Sequence, residues 1–166
     1  MSLDLTLFSG NFTGLTVREQ SVSEIMKLNA VTSGYGRQLT PKQAEKLVAV
    51  RTEALLSTGR VEFGGGVIGK IIYAFCDSPY ISSSEYEQTL ERLIEIFYFY
   101  KNETLNRISD DDLIKFMKQS FDGSCHGSLE LLEGRELAGV ARKLRFGEDR
   151  YESVETDEVS EDETEG

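Results

Sequence analysis

Residues 67–76 read VIGKIIYAFC, a run in which Lys70 is the only charge. A helix that is apolar nearly all round has no side suited to water, so other elements must wrap it. The segment therefore predicts a buried central helix, and Asp77, Ser78 and Pro79 stop it.

The rest of the chain supplies the wrapping at helical period. Thr40, Pro41 and Gln43 predict a helix start: an N-cap hydroxyl, a proline at the first helical position and the partner of a capping box. Gly59 marks that helix's end. Ser84 with Glu87 predicts a second capping box and a helix reaching about Asn102, with Tyr86, Leu90, Leu93, Phe97 and Tyr100 along one face. Ser109 caps the next helix. Asp110, Asp111 and Asp112 stand in its first turn, where the helix dipole favours negative charge. Leu113, Phe116, Met117, Ser120 and Phe121 keep the period, and Gly123 ends it. Leu137, Val140, Ala141 and Leu144 share a face of the last helix, with Gly134 breaking off a short turn before it. A shorter helix is expected from about Ser23 to Thr32.

Strand signals are rare. Arg60 to Phe63 is one possible short strand, and the alternation of Leu3, Leu5 and Leu7 suits an extended arm. The expectation is all-α: a single-domain orthogonal bundle of five or six helices over residues 23–147. An N-terminal arm precedes it at residues 1–22, and a disordered acidic tail follows at 148–166.

Charge separates body from tail. Residues 148–166 hold ten Asp or Glu against one Arg, leaving 19 acidic and 17 basic residues before them. The tail has almost nothing to bury, which is why disorder is expected there. A nearly neutral body with an acidic tail is a poor nucleic-acid binder, because binding rests on Lys and Arg neutralising phosphates. No apolar run approaches the ~18 residues of a membrane span, and the N-terminus MSLDLTLFSG lacks the basic start of a signal peptide. A soluble, cytoplasmic protein with reduced thiols at Cys76 and Cys125 is expected.

Several patterns suggest sites. Gly64, Gly66 and Gly69 satisfy G-x-G-x-x-G, and Gly64, Gly69 and Lys70 approximate a phosphate loop, with Ile71 where Ser or Thr should bind magnesium. The helical surroundings lack the βαβ unit both need, so a turn that lets a helix pack closely is expected instead. Cys125 and His126 adjoin in the loop DGSCHGS. A nucleophile and base are conceivable, but adjacent residues rarely point at each other, and the plainer reading is a loop between helices. One His and two Cys are too few for a structural zinc site unless carboxylates join, so no metal and no cofactor is expected. Phe97, Tyr98, Phe99 and Tyr100 face every direction round their helix. Other helices wrapping this one would explain the run; a homodimer or partner surface is the alternative.

Arg51 is the most informative single residue. At about 100° per residue, Ala44, Leu47, Val48, Ala54 and Leu55 form one stripe with Arg51 at its centre. Such a charge must pair or snorkel. A buried ion pair is one reading, with Asp77, Glu62 and then Glu103 as partners; an anion-binding arginine in a pocket is the other.

Four stretches carry wording that helix formation does not require: Leu39 to Leu55, GRVEFGGGVIGKIIYAFCDSPYI from Gly59 to Ile81, IFYFYKNETL from Ile96 to Leu105, and SDDDLIKFMKQSFDG with the CHGSLELL that follows. Together they resemble a bacterial family, of the Firmicutes type, defined by a domain of unknown function. The resemblance covers about residues 23–145. It implies no activity and no catalytic residue.

The sequence thus favours a protein-interaction or regulatory module that contacts partners through Phe97 to Tyr100. A small enzyme or small-molecule binder, with a site near Arg51, Asp77, Tyr80, Cys125 and His126, is the alternative. Removing residues 148–166 is expected to leave the thermal midpoint nearly unchanged; a loss of several degrees in a melting experiment would show that the tail docks.

Overall fold

The computed structural model describes residues 18–62 and 64–146. Most of the N-terminal arm and the acidic tail lie outside the described residues. The chain is all-α. Among the described residues there is no strand, and residues 60–62 are irregular. Among the described residues two compact units are present, one of residues 18–62, 64–77 and 81–95 and one of residues 78–80 with 96–146.

The first unit contains α1 (residues 18–27), α2 (Asn29–Thr32) leading into a 3-10 turn (Ser33–Tyr35), α3 (Pro41–Thr58), α4 (Gly66–Phe75) and the first part of α5 (Tyr86–Glu103). The capping box at α3 is formed: Gln43 N–H donates to Thr40 Oγ1 at 3.1 Å, and Thr40 N–H donates to Gln43 Oε1 at 2.9 Å. Gly59 closes α3 at φ 71°, the left-handed region that glycine enters without a Cβ clash. The capping box expected at Ser84 and Glu87 is not the start of α5. Ser84 lies inside a 3-10 turn, Ser83–Glu85, and its hydroxyl faces that of Ser82 at 3.3 Å. Asn29 joins α2 to the loop before α3 by pairing with both backbone groups of Leu39, each at 2.9 Å.

Helix α4 buries Val67, Ile68, Ile71, Ile72 and Phe75. It is not wrapped on every side, because Lys70 and Tyr73 share a stripe that faces solvent. Ile25, Leu47, Val48, Leu90, Leu93 and Ile94 are buried in the same unit. Each such side chain contributes about 1.5–3 kcal/mol.

The second unit contains the rest of α5, α6 (Asp110–Asp122), α7 (Leu129–Leu131) and α8 (Ala138–Arg145). Ser109 caps α6 by accepting from Asp112 N–H at 3.1 Å. Gly134 does not break the chain before α8. It sits in a π-helical turn, Leu132–Leu137, that runs from α7 into α8. Within that turn the Glu133 carbonyl accepts from Tyr100 Oη at 2.9 Å. Buried Lys101 ties the end of α5 to the start of α6, donating to the Ile108 carbonyl and pairing with Asp110 at 3.1 Å.

Tyr86 carries the main polar misfit of the first unit. Its hydroxyl is buried with no hydrogen-bond partner among the described residues, while the Arg37 guanidinium lies 5.9 Å from the ring centroid. Burial, then the nearby Cys76 thiol, pushes its phenol up to about 12. The unfolded chain releases this proton from about pH 10, the ordinary tyrosine value, and the folded chain holds it until about 12. The titration of this group therefore leaves stability unchanged below pH 10 and lowers it as pH rises toward 12. Tyr86→Phe is expected to stabilise the protein at pH 8 by up to about 1 kcal/mol, because the cation–π contact stays and an unpaired buried hydroxyl goes. It should also flatten the fall in stability between pH 10 and 12. Urea melts of both proteins at the three pH values check both effects.

Candidate functional site

The centre of the apolar stripe on α3 is where the structure spends its most buried charge. Arg51 is 3% exposed. It donates to the Gly64 carbonyl at 2.8 Å, the Gly65 carbonyl at 3.3 Å and Ser21 Oγ at 3.0 Å, and pairs with Glu62 at 3.7 Å. Of the partners expected from sequence, Glu62 is the one used. Arg60 holds the other oxygen of the same carboxylate at 3.1 Å.

This cluster explains the glycines. Gly65 N–H donates to Glu24 Oε1 at 3.0 Å, and Val67 N–H donates to Glu62 Oε1 at 3.2 Å. Gly64 and Gly66 hold φ of 62° and 46°. A Cβ on Gly64 would stand 2.7 Å from the Glu24 carboxylate, and one on Gly66 would stand 2.6 Å from Glu62 Oε1. The turn thus presents its amides to carboxylates of its own chain. A phosphate would have to displace two negative charges to reach them. The guanidinium likewise faces oxygens of its own chain.

A second cluster lies in the other unit. Ser78 is buried and donates to Asp122 Oδ1 at 2.6 Å, and Asp122 pairs with Lys118 at 3.1 Å. Tyr80 reaches His126, with Oη 3.3 Å from Nδ1. The Tyr80 side chain also covers Gly127: a Cβ there would stand 2.4 Å from Tyr80 Cβ, and φ at Gly127 is 80°. His126 itself holds φ 48°. Gly127 of DGSCHGS thus makes room for the Tyr80 side chain. Cys125 is buried, and its thiol is pushed up by burial and by Glu136, with Ser124 and Arg135 opposing. A raised thiol is a poor nucleophile at neutral pH. The structure therefore brings Tyr80 and His126 into contact, leaves the adjacent Cys125 turned inward, and places Arg51 and exposed Asp77 in the first unit. Among the described residues no three His, Cys, Asp or Glu side chains gather as metal ligands would.

The aromatic run divides unequally. Phe97, Tyr98 and Tyr100 are buried, while Phe99 is 54% exposed. Phe97 meets Tyr98 edge-on at 5.1 Å between centroids, and Phe99 meets Tyr100 edge-on at 4.9 Å. Burial, with Glu133 next, pushes the Tyr100 phenol up, so it remains a donor to the Glu133 carbonyl. One turn beyond Phe99, Glu103 pairs with Arg145 of α8 at 2.9 Å, and Arg107 Nη1 donates to the Leu144 carbonyl at 2.6 Å. These two contacts bring Leu105, 49% exposed, to the end of α8, where Phe146 is 81% exposed. Sequence reasoning missed Leu105 and Phe146, since neither belongs to a helical stripe.

The chain is thus an all-α protein whose charged clusters are bonded within themselves and whose second unit leaves Phe99, Leu105 and Phe146 exposed near the C-terminal ends of α5 and α8. Residues 24–150 match a family of unknown function (DUF6323), and the chain belongs to that family. Comparison with curated proteins and with solved structures gives no match. No helix of the described residues is long and apolar enough to cross a membrane.

Glu62→Gln keeps the side chain's shape but leaves Arg51 buried without its counter-charge. It is expected to cost about 3 kcal/mol in denaturant unfolding. Arg60→Gln removes a partner that is 27% exposed and should cost under about 1 kcal/mol. Equal losses would show that the buried pair is not what holds the turn.

Proposed function

We propose that this protein is an interaction module that binds a protein partner through the end of α5, with Phe99 as its aromatic anchor. The observation that carries this reading is the exposure of Phe99 in a run whose other three aromatics are buried. Tyr98 and Tyr100 serve the core, so Phe99 is the member left for a partner. Aromatic side chains of this kind dominate binding energy at interfaces, because they bury large area with few rotatable bonds. The inward Cys125 thiol and the internally bonded Arg51 weigh against a catalytic reading.

A small-molecule site is the second reading, and the hydrogen bond between Tyr80 and His126 favours it. Such a pair can exchange a proton with a ligand.

Affinity capture from native cells, followed by mass spectrometry, separates the two. Phe99→Ser is expected to keep the melting temperature within a few degrees and to lose most of the proteins that the unaltered chain captures. A capture profile indifferent to Phe99, together with a metabolite that raises the melting temperature only when His126 is present, would overturn the interaction reading.

A further inference from the structure

The end of α5 is closed by paired hydrogen bonds: Asn106 N–H donates to the Lys101 carbonyl at 3.1 Å, and Leu105 N–H donates to the Asn102 carbonyl at 3.0 Å. This pairing places the residue after the C-cap in the left-handed region, a position that glycine usually fills. Here it is Leu105, at φ 56°. A branched side chain there meets the following carbonyl and strains the backbone. Burial does not offset that strain, because Leu105 is half exposed. The segment is held from both sides. Lys101 donates to the Ile108 carbonyl, and Arg107 donates to the Leu144 carbonyl. The chain thus fixes an apolar side chain, at a conformational penalty, where half of it stays open to water.

The two stretches that meet here are basic. Residues 103–107 and 142–146 contain Arg107, Arg142, Lys143 and Arg145 against the single carboxylate of Glu103. Arg107, Arg142 and Arg145 are exposed. Leu105 and Phe146 are exposed within these same two stretches.

We propose that the Leu105 and Phe146 surface is a docking site for an acidic peptide segment of a partner protein, one that carries large apolar side chains between its carboxylates. The proposal rests on the interaction reading above and names the chemistry of the partner. Charge complementarity decides the occupant. Exposed Arg107, Arg142 and Arg145 favour a segment that carries carboxylates. Apolar side chains of the peptide cover Leu105 and Phe146, and its carboxylates meet these arginines.

The test is fluorescence anisotropy on the full chain. The probe is a fluorescein-labelled peptide of glutamates interspersed with leucine and phenylalanine; the control has lysine in place of every glutamate. The acidic peptide is expected to bind at roughly micromolar concentration and to weaken as salt is raised, since exposed charges are screened. Leu105→Gly should weaken it at least about tenfold while the melting temperature stays level or rises, because glycine suits the φ at that position. Phe146→Ser, at a side chain with little to bury in the fold, should weaken it similarly. The double variant Arg142→Gln with Lys143→Gln should weaken binding and reduce its salt dependence.

Equal binding of the lysine peptide, or binding indifferent to Leu105 and Phe146, would overturn the proposal. Binding that appears only after residues 148–166 are removed would also overturn it, in favour of the chain's own acidic segment. Sedimentation with phosphatidylserine vesicles in the absence of peptide binding would overturn it in favour of a membrane surface. In each of these cases a Phe99-dependent capture profile would leave the interaction reading standing, so the two failures are distinguishable.

Discussion

Helix α4 begins on a turn of three glycines and so has no side chain of its own to cap it. The first amides of any helix lack intrahelical acceptors, and burying them unpaired is expensive. Glu24 and Glu62 supply two of the missing acceptors. Carboxylates brought together in a poorly solvated place repel each other and resist burial, and Arg51 answers both costs from α3. Four segments therefore converge on one turn: α1 through Ser21 and Glu24, α3 through Arg51, the irregular residues 60–62 through Glu62, and the glycines themselves. The apolar face of α4 can pack only if this end is satisfied. The glycines are needed because the carboxylates come too close for a Cβ at positions 64 and 66.

The second unit uses a buried cation in a related way. Lys101 stands in the last turn of α5 and pairs with Asp110 in the first turn of α6, where the helix dipole already favours a carboxylate. Its second contact, to the Ile108 carbonyl, fixes the connection between the two helices. A lysine in this place is not interchangeable with an apolar residue of similar length, because the Ile108 carbonyl would lose its partner. That fixed connection holds Leu105 in a left-handed conformation that a branched residue rarely adopts, beside Asn106, which enters that region more readily.

Much of this was legible in the sequence, and the failures have physical causes. The α3 start, the α6 cap and the burial of Arg51 follow from residue chemistry at short range, so they could be read directly. The choice of Glu62 over Asp77 as the partner of Arg51 could not. It depends on how the glycine turn folds back, which no helical period encodes. Ser84 has the right partner at Glu87 but falls inside the 3-10 turn Ser83–Glu85, one residue before the cap position of α5. Gly134 looked like a break because glycine is a poor helix former, yet a π-helical turn carries the chain past it. Leu105 was invisible for the opposite reason. Helix ends are sought at glycine or asparagine, and here a leucine occupies the position. The aromatic run was readable as wrapped, but not which member would be left outside.

The contrast between the two exposed clusters bears on what the protein can do. Tyr80 and His126 form a hydrogen bond on a surface where Tyr80 is 44% exposed and His126 is exposed. Proton transfer between such groups proceeds in a high-dielectric setting, which gives little of the electrostatic advantage of a water-excluded site. The α5 and α8 termini offer what binding needs instead. Their backbone is fixed by Lys101 and Arg107, so the exposed apolar side chains sit on a backbone that is already ordered. Association then orders side chains alone rather than a loop, and that entropy cost is the smaller one. Strain in the free protein also has a direction. A partner that only covers Leu105 leaves its φ unchanged, so the strain is carried equally by the free and bound states and subtracts nothing from affinity. Its whole cost falls on folding.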